Sequence, residues 1–271
     1  MRKISLILAA LLAALALTGM AAPPAIEVRL DGRTIDAESL AYEENGEVYI
    51  PARELCERLG AKVGWSREEK QASVTLPGLE LTARPGDRYI VANGRYLFCP
   101  DGVTLKNSRL MVPASALAKA FGAGIEYDAA SRVLSLTSGG LVIESADTYY
   151  DKEELYWLSR IIEAESGTET LMGKIAVGNV VLNRRDRDEF PDTVKGVIFD
   201  RRCGIQFSPA YSGSIYNTPR EESVIAAKLC LDGANVAGES LYFTPIKRAE
   251  TCWAARNRPV FGQIDRQMFF L

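Results

Sequence analysis

The amino-acid sequence predicts an α+β chain in two unlike parts: a duplicated, strand-rich α+β module over residues 25–137, then a helical lobe with a small β-sheet over residues 151–271. Three observations predict it. The first part matches itself at a fixed offset of 62, so that Asp31-Gly32-Arg33 recurs as Asn93-Gly94-Arg95. From Asp151 onward apolar residues fall at helical spacing. Near the C-terminus three short apolar runs, 240–244, 259–261 and 268–270, read as strands.

Each copy of the repeat has a physical reading. Asp-Gly and Asn-Gly accept positive φ, so they turn a tight hairpin. Val48-Tyr49-Ile50-Pro51-Ala52, matched by Leu110-Met111-Val112-Pro113-Ala114, runs a short strand into a proline at the start of a helix over 52–59. Gly60 or Gly122 stops that helix, and two more strands follow, at 62–65 and 72–76 in the first copy. Cys56 and Cys99 align with Ala118 and Ala37, which makes them small packing residues.

Composition narrows the chemistry. With 47% hydrophobic and 25% charged residues over 271 positions, the chain can bury two cores, which excludes a disordered or fibrous protein. The sequence has no histidine. Histidine-assisted nucleophiles and imidazole bases are therefore excluded, and acid/base work falls to carboxylates, Tyr, Lys or Cys. The five cysteines form no Cys-x-x-Cys pair, so neither a metal site nor a redox couple is spelled out; no metal or cofactor is expected. A bridge among Cys203, Cys230 and Cys252 stays open, with at least one thiol left over. Residues 1–24 read as an export signal: Arg2-Lys3, an apolar run from Ile4 to Leu17, then small residues before Pro23-Pro24. Ile4 to Ala22 is also just long enough for an uncleaved anchor. Without Arg2 and Lys3 the chain keeps 30 basic against 35 acidic residues, which offers nothing to nucleic acid.

Residues 138–150, with Gly139-Gly140, read as a linker. A helix follows, with Asp151 as N-cap, Glu154 completing a capping box, and Leu155, Leu158, Ile161 and Ile162 as its apolar stripe. A second, at about 171–184, is apolar nearly all round and should be the buried centre. Thr218-Pro219-Arg220-Glu221 announces a third as cap, first-turn proline and N3 glutamate, and Asp232-Gly233 ends it; Asp192 is expected to cap 193–199.

At about 100° per residue from Leu155, Glu165 falls at about 280°, inside the apolar stripe, and Glu163 at about 80°, on the far side. Glu163 is thus expected to be a solvated surface charge. Glu165 has two readings: a carboxyl turned toward the core, with its proton held near neutrality by desolvation, or an exposed charge in a fading last turn. Glu169 has three: a loop charge, a cap, or a second carboxylate near a cleft. Tyr242 and Phe243 alternate on a strand, so one should line a cleft and the other pack inward. Gln206, Phe207 and Tyr216 lie on loops and read as a binding groove or as ordinary loop and aromatic core. Trp253 is a weaker candidate. Lys247-Arg248 with Arg256 and Arg258 reads as a solvated basic edge.

Two resemblances add to this reading. The strand-Pro-Ala-helix-Leu-Gly-Ala pattern of residues 25–137 resembles the N-terminal domain of copper amine oxidases, implying a spacer or wall-binding module; copper is not implied, since the chain has no histidine ligand. The run Ala164-Glu165-x-x-x-Glu169, then Gly173-Lys174-Ile175-Ala176-Val177-Gly178-Asn179 through Leu182-Asn183-Arg184, resembles the cell-wall hydrolase family typified by spore cortex-lytic SleB. Phe190-Pro191-Asp192, Gln206-Phe207-Ser208-Pro209, Ser240-Leu241-Tyr242-Phe243 and Arg258-Pro259-Val260 follow in the family's order. That resemblance implies a lysozyme-like lobe that cuts peptidoglycan glycan strands, with Glu165 as catalytic acid. Glu169, Gln206, Phe207, Tyr216, Tyr242 and Gln267 are expected to bind substrate. Gln267 stands where the family commonly has histidine, so a titrating role there is excluded. The expected reaction is lytic transglycosylation of the MurNAc–GlcNAc bond; hydrolysis by a muramidase, or peptidoglycan binding without catalysis, are the alternatives. The expected partners are glycan strands and, left open, an envelope or spore regulatory protein, with the chain a monomer outside the cytoplasm, in the cell envelope or spore cortex.

Overall fold

The computed structural model describes residues 25–35, 40–202 and 204–271. The export signal or anchor, Ala37 and Cys203 lie outside the described residues. Among those described, no helix is long and apolar enough to cross a membrane.

The repeat is preserved element by element. The first copy holds β1 (Glu27–Leu30), β2 (Arg33–Thr34), β3 (Tyr42–Glu44), β4 (Glu47–Pro51), α1 (Ala52–Arg58), β5 (Lys62–Ser66) and β6 (Gln71–Leu76). After an extra strand, β7 (Leu79–Ala83), the same series returns as β8 (Tyr89–Ala92), β9 (Arg95–Phe98), β10 (Thr104–Lys106), β11 (Arg109–Pro113), α2 (Ala114–Phe121), β12 (Gly124–Asp128) and β13 (Val133–Thr137). Asp31-Gly32 and Asn93-Gly94 take φ of 51° and 75°, and 49° and 78°, the positive values their hairpins need.

The copies do not fold side by side. β1 and β2 of the first copy join β12 and β13 of the second, with β1 parallel to β13. The reciprocal sheet runs β5-β6-β7-β8-β9, so β7 is wedged between the copies. β4 and β11 pair antiparallel in the middle, Ile50 opposite Val112. One core, including Val28, Ile50, Leu55, Cys56, Val112, Leu117 and Leu134, is therefore shared, and neither copy has a complete one of its own. Cys56 and Cys99 are fully buried within it, in the packing role expected of them.

The linker is strapped down. Ile143 is buried, its N–H donates to Ala120 O, and Asn93 Nδ2 donates to Ile143 O at 2.8 Å. Gly140 lies against the backbone of Gly122, which takes φ 63°; a Cβ on either would meet the other strand's backbone.

The second half packs α4 (Lys152–Ser166), α5 (Leu171–Arg185) and α8 (Glu221–Leu231) around Leu158, Ile162, Ile175, Val181 and Ala227. Between them come α6 (Val194–Phe199) and α7 (Pro209–Ser212), and α3 (Ala146–Tyr149) leads in from the linker. A three-stranded antiparallel sheet closes the lobe, with β16 (Gln267–Phe270) between β14 (Tyr242–Pro245) and β15 (Val260–Ile264). α9 (Trp253–Asn257) lies before β15. Three expected caps differ. The third helix starts at Glu221, with Arg220 and not Thr218 as N-cap; Thr193 and not Asp192 caps α6, accepting from Gly196 N; and Glu154 does not close a box. Glu154 instead accepts Val194 N and pairs with Arg185, because the facing α6 N-terminus offers an unpaired N–H.

A buried ion cluster joins the halves. Asp232, just past α8, receives Arg95 of β9 and the Tyr150 hydroxyl, and Lys119 of α2 lies 3.2 Å away. Arg95 also stacks on the Tyr149 ring at 3.2 Å. Removing one member strands charge in a dry place. Asp232→Ala should therefore cost about 3 kcal/mol or more in urea unfolding. Glu57→Ala, which breaks an exposed pair with Arg53, should cost no more than about 1 kcal/mol. Equal costs would mean that the junction is not dry.

Candidate functional site

The site is built on the C-terminal end of α4. Asp151 Oδ1 caps its start, accepting Glu153 N and Glu154 N at 2.9 Å each. Leu158, Ile161 and Ile162 are fully buried, so the apolar stripe read from the sequence is the face that meets the core.

Glu163 is not the solvated charge its angle suggested. The N-terminus of α8 covers that side: Glu163 accepts Ser223 Oγ at 2.6 Å and Arg220 N at 3.3 Å, and pairs with Arg220 Nε at 2.9 Å. Burial pushes its pKa up, but the Ser223 and Arg220 hydrogen bonds outweigh that and hold it below the usual glutamate value. It caps a helix from outside.

Glu165 differs in every respect. It is half-buried, and no hydrogen bond to its carboxylate is found among the described residues. Burial alone pushes its pKa up to about 7. Of the two readings the sequence left open, the structure places this group on the core side.

What fixes its position is a strap that the sequence did not reveal. The 167–170 loop after α4 is tied to the β15–β16 turn, where Asp265 takes φ 50°. Asp265 accepts Thr170 N and Oγ1 at 2.9 and 2.7 Å, while Arg266 reaches Glu169 at 2.8 Å and Thr168 Oγ1 at 2.8 Å. Glu169 is only 9% exposed in its side chain and both its oxygens face Arg266, so it serves this strap. A free second carboxylate is not what stands there. Gln267, 5% exposed, donates Nε2 to the Glu165 carbonyl at 3.5 Å and leaves Oε1 buried without a partner among the described residues. Lys174, fully buried on α5, pairs with Glu222 of α8 at 2.6 Å.

The lobe also holds a cavity of about 930 Å³, walled by Arg184, Phe190, Gln206, Tyr242, Trp253 and Arg258, among others. Its wall includes Thr244, one position before Pro245, whose partner across the sheet is Gln267. Neither the Glu165 carboxylate nor Gln267 is part of that wall. The other expected binding residues divide. Gln206 lines the cavity, accepting Arg184 Nη2 at 3.3 Å, and Tyr242 lines it with its ring on Trp253 at 5.5 Å. Phe207 is 1% exposed and packs on Phe243 as core, because its short loop is pulled over the lobe's interior. Tyr216 is 58% exposed, sits edge-on to Trp157 and does not line the cavity. Phe243 packs inward on Phe269 while still bordering the cavity. Trp253 and Arg258, ranked low by sequence, are on its wall. Cys230 and Cys252 are free thiols. A second cavity, about 590 Å³, opens in the N-terminal half beside Trp65, where the Glu54 carboxylate is paired with Arg109.

The family model described as Copper amine oxidase N-terminal domain matches residues 29–136, and the one described as Cell Wall Hydrolase matches residues 168–270. The latter match begins three residues after Glu165. A spore cortex-lytic enzyme of Bacillus cereus is 32% identical over 120 residues, 44% of this chain and 45% of that protein. One from Oceanobacillus iheyensis is 29% identical over 132 residues, 49% of this chain and 46% of that protein. The chain thus spans less than half the length of these curated relatives. Among solved structures, the catalytic domain of the Bacillus cereus SleB protein is 31% identical, covers 46% of this chain and 94% of that one, and has a TM-score of 0.41. The chain thus matches the Copper amine oxidase N-terminal domain model in its first half and the Cell Wall Hydrolase model in its second.

Proposed function

We propose that the chain is an exported enzyme that cleaves the glycan strands of peptidoglycan, and that Glu165 is its general acid and base. The observation that carries this reading is the half-buried, unpartnered Glu165 carboxyl, whose pKa burial raises to about 7. Such a group can both give and take a proton near neutrality. The Cell Wall Hydrolase match, and relatives that are spore cortex-lytic enzymes, support the substrate class.

The mechanism uses one carboxyl, that of Glu165. Protonated Glu165 gives its proton to the oxygen of the MurNAc–GlcNAc bond as the bond from that oxygen to C1 breaks and positive charge grows on the sugar ring. The carboxylate then takes the proton of the muramic C6 hydroxyl while that oxygen bonds to C1, closing a 1,6-anhydro ring. The acid is regenerated and no water is consumed. A hydrolytic muramidase needs a second carboxylate roughly 5–9 Å away. Glu163 and Glu169, two and four residues away, are committed to Arg220 and Arg266, which favours the transglycosylase. Residues 1–24 would export the chain to the wall, and the N-terminal half would hold the lobe there.

Three outcomes are expected. Glu165→Gln should lower release of muropeptides from purified peptidoglycan at least about a hundredfold with an unchanged circular dichroism spectrum. A variant that keeps half the wild-type rate would end the assignment. Wild-type products should be one water lighter than hydrolytic ones by mass spectrometry, whereas new reducing ends would indicate a muramidase. The pH response has a definite sign. Because the folded pKa lies above the ordinary value of 4.5, the favourable contribution of the protonated group is complete below about pH 4.5 and lost as pH rises through about 7. Activity should fall over the same upper range. Glu165→Gln should therefore be more stable than wild type at pH 8, by at most about 3 kcal/mol, and nearly equal to it at pH 5.

A further inference from the structure

The cations buried among the described residues are three, and two of them are answered by acids. Arg95 meets Asp232, and Lys174 meets Glu222. Arg184, 4% exposed at the end of α5, meets none. Its Nε donates to Leu241 O at 2.7 Å and its Nη2 to Gln206 Oε1 at 3.3 Å, and both acceptors are neutral. Asp200, whose field reaches it, is paired with Arg202 at 3.0 Å. Burial lowers the Arg184 pKa to about 10, which leaves the guanidinium charged at neutral pH. A desolvated charge without a counter-charge is costly, and a guanidinium keeps donors free for a planar anion.

The surroundings say what kind of anion. Arg184 faces the 930 Å³ cavity, where Arg258 sits over the Tyr242 ring at 5.2 Å and the Trp253 ring at 5.5 Å, and donates to the Tyr242 hydroxyl at 3.3 Å. Arg258 also has no ion pair within 4 Å among the described residues. Trp253, 57% exposed, offers a flat apolar face of the sort on which a sugar ring lies. The volume is that of a site for a ligand of a few hundred daltons. The cavity thus sets the Arg184 and Arg258 guanidiniums beside an aromatic platform, with Glu189 and the Asp200–Arg202 pair elsewhere on its wall.

Resting on the glycan-cleaving reading above, we propose that Arg184 and Arg258, with Tyr242 and Trp253, form a subsite for a carboxylate borne on muramic acid. The carboxylate is one on the peptide attached to the lactyl group, because in a peptide-bearing strand the lactyl carboxyl is itself tied up as an amide. Such a subsite lets the lobe tell muramic acid from N-acetylglucosamine, and so sets which sugar lies over Glu165.

Binding of soluble fragments to the full chain tests this without turnover, using Glu165→Gln and following tryptophan fluorescence or heat. The probes are a disaccharide-peptide, the same fragment with its carboxyls converted to methylamides, and a peptide-free disaccharide with its lactyl carboxylate. The free-acid disaccharide-peptide should bind about tenfold or more tighter than its methylamide. Arg258→Gln, at an exposed position, should shrink that ratio to about twofold or less. Arg184→Lys, which keeps the charge but loses the planar fork, should weaken it about threefold or more. Peptide-free disaccharide, whose one carboxylate is lactyl, should bind much more weakly than the disaccharide-peptide; equally tight binding would overturn recognition of a peptide carboxylate. Equal binding of acid and methylamide, absence of binding by both, or an undiminished ratio in Arg258→Gln would overturn the subsite. Full activity in Glu165→Gln would sink the catalytic assignment and leave a measured carboxylate preference standing.

Discussion

The second half of the molecule depends on keeping one half-buried carboxyl group unpaired while other glutamates of the lobe are occupied. Glu154, Glu163, Glu169 and Glu222 each receive a cation or a backbone N–H. Glu165 receives neither. Its environment is therefore set by desolvation alone, and desolvation favours the protonated acid. The strap from Thr168–Thr170 to Asp265–Arg266 makes this possible, because it holds the end of α4 against the sheet through neighbours and leaves the Glu165 side chain untouched.

A similar economy governs the junction between the halves. Asp232 ends α8 and gathers Arg95, Lys119 and Tyr150, so the helix that packs on α4 is also the one fastened to the N-terminal module. The linker is pinned along its course by Ile143 and the Gly122–Gly140 contact. Together these features argue against a loose spacer. Within the module, exchange of β1–β2 and β12–β13 between the copies explains why two short repeats make one core.

Much of this was legible in the sequence because it is local. Asp31-Gly32 and Asn93-Gly94 announce hairpins, the repeat fixes which elements recur, and the angle of Glu165 on its helix makes a core-side carboxyl one of two readings, between which the fading last turn does not decide. What was not legible depends on partners far along the chain. An angle reports where a side chain leaves its own helix but not what lies opposite, and so Glu163 was taken for a surface charge although α8 begins there. The same blindness hid the exchange of strands between copies, the Asp265–Arg266 strap and the inward turn of Phe207. Arg184 carries a signal in the sequence: a guanidinium inside a helix otherwise apolar nearly all round needs a reason to be buried.

The central claim is that burial holds a proton on Glu165 near neutrality. The most direct measurement is the ionisation midpoint of that one carboxyl, followed by the ¹³C shift of its side-chain carbonyl in labelled protein and assigned by its loss in Glu165→Gln. A midpoint near 7 agrees with the account. A midpoint near 4.5, the value of an ordinary glutamate, contradicts it.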